Sequence, residues 1–262
     1  MTLQKQIQNL KQYNGKQREN KVFSVYLNTS PEQAGKKWEI ELKKALNNLA
    51  ERTKQSDSHE EKNQAKTIIQ KVDTEIKNNT SELKRGLVLF TTADEDLWFF
   101  KLLQVEVDTH FHWGDEPDVE QLEQLEYSYP FTGIVLLQQD KAQLLETEIG
   151  SLISETNYTL NLNTDEWREH QGPQGDDLTQ GGSKKDEFKE RVKENQKRWF
   201  KNLAFNIEKK AKKEGWSQLY LIGEKKEIET LSTMFNRRIN KIIPSNLLGS
   251  NTDKILDTAF ES

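Results

Sequence analysis

Strand-like and helix-like runs alternate along this chain in an order that admits few architectures. Leu3, Ile7 and Leu10 fall at helical spacing, and Val22-Phe23-Ser24-Val25-Tyr26-Leu27 is a continuous apolar run of buried-strand length. Ser30-Pro31-Glu32-Gln33 sets a capping serine before a proline and a glutamine. A helix is expected from there, or from just after Gly35, with the stripe Trp38, Leu42, Ala45, Leu46 and Leu49. Ser58 and Glu61 form a second capping box before Ile68, Ile69, Val72 and Ile76, and that helix ends near Asn78-Asn79. The other faces of both are charged, so residues 31–79 read as a solvated helical pair.

From Gly86 the period shortens. Leu87–Phe90 and Leu97–Leu102 flank the polar turn Asp94-Glu95-Asp96, and Val105–Trp113 alternates as a third strand. Gly114, Pro117 and Pro130 punctuate the next stretch. Gly133–Leu137, Ala142–Glu148 and Asn157–Leu162 form a second strand cluster, with a turn at Asp140-Lys141. Residues 163–183 are polar and glycine-rich and read as a long loop, of the kind that carries function or lacks order. A helix follows over Lys184–Lys213, with Phe188, Val192, Trp199, Leu203, Ile207 and Ala211 on one stripe and Gly215 at its end. A strand (Ser217–Ile222), a helix (Glu224–Asn236) and a short strand (Ile239–Ile243) complete the pattern. The expected fold class is α/β (α+β) with mixed sheets. The expected parts are an N-terminal region 1–128 with the helical pair, a second region 129–245, and a polar tail 246–262.

The chain has 262 residues, no cysteine and a formal net charge of −5. Six Trp, eleven Phe and six Tyr are enough to anchor a core. Without cysteine there is no disulfide framework and no thiolate metal site, which fits a reducing cytoplasm. No run approaches the ~20 apolar residues of a membrane-spanning helix, and no membrane partner is expected. The N-terminus has no apolar signal core.

The acidic total hides an asymmetry. Lys184–Lys213 holds twelve Lys or Arg against five Asp or Glu, a local +7 that leaves −12 for the rest. Lys185, Lys189, Lys193, Lys197 and Lys201 step at intervals of four, joined by Arg191 and Arg198. Such a ridge can follow a phosphate backbone; the bland reading is a solvated helix face. Just before it lies Gln180-Gly181-Gly182-Ser183-Lys184-Lys185. Paired glycines let main-chain N–H groups approach a ligand, and a helix N-terminus favours negative charge.

His110 and His112 alternate on a strand, but no third metal ligand stands at a telling spacing, so no metal site is assigned. Asp94, Asp96, Asp108, Asp115 and Asp140 read as turn and edge residues rather than a nuclease centre. No serine–histidine–aspartate order and no phosphate-binding glycine loop stands out. No cofactor is expected.

Gly133–Gly150, the polar loop, the Gly-Gly pair, the helix FKERVKENQKRWFKNLA, and then Gln218–Gly223 with EKKEIETLSTMFNRRINKII together resemble the middle domain of archaeo-eukaryotic class 1 peptide-release factors. Val22–Thr29 resembles the opening of bacterial members. The resemblance implies a ribonuclease-H-like domain that reaches the ribosomal peptidyl-transferase centre and acts on peptidyl-tRNA. In that family a Gly-Gly-Gln tip promotes ester hydrolysis, with the glutamine N–H at the developing oxyanion. The Vms-like release factor branch, which acts on obstructed ribosomes, writes the tip Gln-Gly-Gly-Ser-Gln. Here Lys184 stands where the glutamine is expected. Its N–H still offers a donor, but a lysine side chain cannot supply an amide's paired donor and acceptor. Gln171 and Gln174 lie in the same loop and could substitute only if it folded back.

The resemblance therefore implies either an unconventional peptidyl-tRNA ester hydrolase or a factor that binds the ribosome without cleaving, as in hibernation. Gly181, Gly182, Ser183 and Lys184 would form the catalytic tip. Gln180, Lys185, Lys189, Arg191, Lys193, Lys197 and Arg198 would contact ribosomal RNA and the tRNA end. With no codon-reading segment recognisable and about seventeen residues after the matching region, rescue or protection of ribosomes fits better than stop-codon termination. A reading from another class is a non-ribosomal module that binds a protein through 31–79.

Overall fold

The computed structural model describes residues 3–15, 19–32, 36–161, 166–170 and 185–260, with side chains described outside 161–194. The chain divides into two compact units, residues 1–128 with 149–151, and 129–148 with 152–262.

The first unit is built on a four-stranded antiparallel sheet. Its strands are β1 (Val22–Asn28), β2 (Gly86–Thr91), β3 (Trp98–Leu103) and β4 (His110–Gly114), in the order β3-β2-β1-β4. The continuous apolar runs become the two central strands, where every residue is buried. Helices α2 (Lys37–Lys54) and α3 (His59–Asn78) cover one face: Leu42, Leu46 and Leu49, with Ala65, Ile68, Val72 and Ile76, pack on Phe23, Val25, Leu27, Leu87 and Leu89. The odd and even positions of β1 thus meet different neighbours. Tyr26 turns the other way and meets the edge of Phe90 at a centroid distance of 5.7 Å. Its hydroxyl donates to the Asp118 carbonyl (2.8 Å) and accepts from the Leu122 N–H (3.1 Å).

That second bond enters α4 (Glu120–Ser128), a helix the sequence reading missed. It is short and acidic, and buries only Leu122 and Leu125. An ion pair between Lys11 and Glu123 ties it to α1 (Leu3–Gln12). The two expected capping boxes also changed. The N–H of Ser30 goes to Asn28 Oδ1 (2.9 Å), and α2 starts after Gly35, with Lys36 left-handed at its N-cap. Ser58 does cap α3, through the Glu61 N–H (3.2 Å). The Glu61 carboxylate, however, accepts from Ser56 Oγ (2.7 Å) and Trp113 Nε1 (3.0 Å), and pairs with Lys21 (3.0 Å).

The second unit holds β5 (Thr132–Gln138), β6 (Lys141–Glu148), β7 (Ser151–Asn161), β8 (Glu166–His170), β9 (Gln218–Gly223) and β10 (Lys241–Pro244), in the order β10-β9-β5-β6-β7-β8. β5 pairs antiparallel with β6 and parallel with β9, and β9 pairs parallel with β10. The five-strand order β7-β6-β5-β9-β10 is the ribonuclease-H-like arrangement. β5 is buried on both faces: Val135 and Leu137 meet α5 (Lys185–Glu214) and α6 (Lys225–Ser232), while Ile134 and Leu136 face the C-terminal segment.

Three expectations need correction here. The stretch 163–183 is not loop throughout, because β8 pairs antiparallel with β7 from Asn161↔Glu166 to Asn157↔His170. Its polar sequence carries no apolar alternation, but the open edge of β7 supplies hydrogen-bond partners. The segment 246–262 is not merely a polar tail. Helix α7 (Thr252–Phe260) buries Ile255, Leu256 and Ala259, with Leu247, against Ile134, Leu136, Leu145 and Ile222. Its apolar set spans little more than two turns, too few for periodicity to stand out. Helix α6 is also shorter than Glu224–Asn236, since Asn236 and Arg237 donate backbone N–H groups to Glu208 on α5.

Candidate nucleic-acid interface

The site residues expected from sequence divide into three sets. Gln180, Gly181, Gly182, Ser183 and Lys184 lie outside the described residues. Lys185, Lys189, Arg191 and Lys193 lie on α5, but their side chains lie outside the description. Lys197 and Arg198 are on α5 and exposed.

The described half of α5 is firmly seated. Phe200, Leu203, Ala204, Ile207 and Ala211 are buried against the sheet, in step with the helical period. Near its end, Lys210 reaches under the helix to a carboxylate that the sequence reading did not single out. Glu146 on β6 is 6% exposed; it accepts from Trp216 Nε1 (2.8 Å), from Lys210 Nζ (2.9 Å) and from the Ser154 hydroxyl. Lys210 also donates to Thr156 Oγ1 on β7 (3.0 Å). Burial alone would raise the Glu146 carboxyl, but hydrogen bonds from Ser154, Lys210 and Trp216 outweigh it and hold the group below the usual range. Glu146, Ser154, Thr156 and Lys210 line a cavity of about 700 Å³ together with Phe131, Tyr158, Lys209 and Lys213. Every polar atom of the Glu146 carboxylate is already engaged, so the cluster acts as a pin for α5.

With Lys210 drawn inward, Lys197, Arg198, Lys201, Lys209 and Lys212 remain exposed on the helix, Lys209 at the rim of that cavity. In this half of the helix the carboxylates are Glu208 and Glu214. Glu208 is occupied by the backbone N–H groups of Asn236 and Arg237, and Glu214 pairs with Lys213 (2.9 Å). The exposed arc is therefore cationic with little internal neutralisation. The interface expected from sequence ends at Arg198, within a lysine ridge that runs to Lys201; the four-residue step continues through Phe205 and Lys209, and with Lys212 these residues lengthen the exposed face.

The other candidates fall in the first unit. His110 and His112 are exposed on β4, and His110 Nε2 lies 2.9 Å from Asp118 Oδ2. Asp94 organises a turn, accepting from the Asp96 N–H (3.0 Å), Thr92 Oγ1 (2.8 Å) and Asn20 Nδ2. Among the described residues no group of three or more His, Asp or Glu is placed to hold a metal ion, and no helix is long and apolar enough to cross a membrane.

The family model described as Bacterial archaeo-eukaryotic release factor family 5 matches residues 130–261, which includes α5, its basic face and α7. The chain belongs to this release-factor family. It is 31% identical over 241 residues to the uncharacterized protein YocB of Bacillus subtilis (strain 168), a match covering 91% of each chain. Among solved structures, an archaeal translation termination factor aligns at 13% identity with a TM-score of 0.34, covering 97% of this chain and 71% of that one. A second archaeal protein aligns at 13% identity and a TM-score of 0.32, covering 98% and 71%. Membership makes the chain a release-factor-like, translation-related protein.

Proposed function

We propose that this release-factor-like protein is a cytoplasmic ribosome-associated factor that carries its Gly181-Gly182 segment to the peptidyl-transferase centre. The exposed cationic face of α5, directly after that segment in sequence, is the observation that supports this most. Ribosomal RNA would meet Lys197, Arg198 and the lysines that follow, and Lys185, Lys189, Arg191 and Lys193 would extend the contact toward the tip. Gly181, Gly182, Ser183 and Lys184 would approach the ester of peptidyl-tRNA, where a main-chain N–H could stabilise oxyanion charge.

Lys184 favours a second reading of the same placement. An ammonium has three donors and no acceptor, so it can hold a phosphate or a carbonyl but cannot orient a water as an amide does. On this reading the factor occupies the ribosome without hydrolysing the ester.

Two measurements test these readings. Sedimentation with ribosomes at low salt is expected to be lost when Lys197, Arg198 and Lys201 are changed to Glu; unchanged sedimentation overturns ribosome association through α5. Release of labelled peptide from stalled complexes separates the two readings. Release abolished by Gly181→Ala and Gly182→Ala supports hydrolysis at the tip. Absence of release, with ribosome binding intact, supports occupancy alone.

A further inference from the structure

We infer that the α5 face selects an unpaired nucleotide: Phe205 stacks on one base while Lys201 and Lys209 take phosphates on either side. The inference rests on the reading that RNA is the partner, and adds which form of RNA the surface prefers.

Phe205 is 65% exposed, whereas Phe200, Leu203, Ala204, Ile207 and Ala211 on the same helix are buried to 1% or less. At about 100° and 1.5 Å per residue, Arg198, Lys201, Lys209 and Lys212 all project within about 40° of Phe205 and within about 11 Å of it along the axis. The ring thus stands at the centre of a straight stripe, with one cation a turn above, one a turn below, and another beyond each. Of the carboxylates in this half of the helix, Glu208 is engaged by the N–H groups of Asn236 and Arg237 and Glu214 projects about 180° from Phe205, so the stripe has no internal acid to satisfy it.

A lysine row alone would give the single strand no advantage, because a duplex presents phosphates too, and at higher charge density. The exposed ring breaks that equivalence. Base faces are covered inside a duplex, and a helix standing on the backbone cannot reach them. A looped-out or single-stranded base offers its π-face to an aromatic side chain, flanked by phosphates that cations can reach. An acidic protein helix would satisfy the lysines too, but would use Phe205 as a generic apolar contact rather than as a stacking plane.

The test uses the full chain and a fluorescently labelled, uridine-rich single-stranded RNA of twelve nucleotides, with its duplex as comparison, titrated at several salt concentrations. Phe205 is exposed, so its substitution spares the core; far-UV circular dichroism checks this. Tighter binding to the single strand than to the duplex is expected. Phe205→Ala should weaken single-strand binding about tenfold with the salt slope unchanged, and Phe205→Trp should restore it. Changing Lys201 and Lys209 to Gln should lower the slope by about 1.4.

Equal affinity for duplex and single strand, or full affinity in Phe205→Ala or Phe205→Leu, overturns the inference. So does binding of polyglutamate in place of RNA. Ribosome sedimentation keeps the two readings apart. Loss on charge substitution with Phe205→Ala unaffected overturns stacking and leaves ribosome association standing. Phe205-dependent binding of the single strand without any sedimentation supports stacking and overturns ribosome association.

Discussion

Trp216 donates its indole N–H to the Glu146 carboxylate across 2.8 Å, and both residues are buried. Lys210 meets the other oxygen, so three segments converge on one charged group: β6, α5 and the turn into β9. Removing one partner of such a pair leaves an uncompensated charge, so Glu146→Gln or Lys210→Met should each cost about 2–4 kcal/mol in chemical denaturation. The double variant should cost clearly less than the sum of the two, which a double-mutant cycle measures. Additive costs would mean the two groups are not coupled.

Gly133 allows the same tryptophan to lie flat on β5. A Cβ there would come within 2.3 Å of Trp216 Cε3 and Cζ3. Gly133→Ala is therefore expected to destabilise by about 1–3 kcal/mol or more through overpacking. In a Trp216→Leu background the added cost should shrink, as thermal melts of the four proteins would show.

Acid should loosen the first unit through Glu61. Hydrogen bonds from Ser56 and Trp113, with Lys21 beside it, lower its carboxyl from 4.5 to about 2. A group depressed on folding contributes stability that is fully present above 4.5 and is lost as pH falls through about 2. At neutral pH, Glu61→Gln should cost about 1–2 kcal/mol, and the gap to wild type should close across that acidic window. A gap that stays constant from pH 6 to pH 2.5 would contradict the assignment.

Tyr26 joins β1 to α4 through a hydroxyl that both gives and receives a hydrogen bond. Burial, the largest influence, pushes that phenol well above its usual value. Tyr26→Phe should cost about 1–3 kcal/mol, because the buried Leu122 N–H loses its acceptor. Amide exchange at Leu122 should speed up more than at Leu125. Equal protection in wild type and variant would place α4's anchor elsewhere.

The parts of the fold legible in the sequence were those with a long period or a continuous apolar run. β1, β2, α3 and α5 announce themselves because many residues repeat one signal. α4 and α7 escaped because each buries two or three side chains, and β8 escaped because its stabilisation comes from pairing with β7 rather than from its own composition. At the candidate site, a strict four-residue step identified the charge but not the face. Each such step advances about 40° around a helix, so Lys185 to Lys201 winds about the axis, while spacings of three and four together keep Arg198, Lys201, Phe205, Lys209 and Lys212 aligned. The role of Lys210 was illegible, because nothing local distinguishes the lysine that turns inward from its outward neighbours until Glu146, distant in sequence, is seen beneath it.

The position of α7 has a consequence for how the chain is made. The sheet that β5 anchors cannot cover its second face until α7, more than a hundred residues further along, has been made. A message cut short before Thr252 would yield a product with Ile134, Leu136 and Ile222 open to water, fit for chaperones and proteases rather than for work.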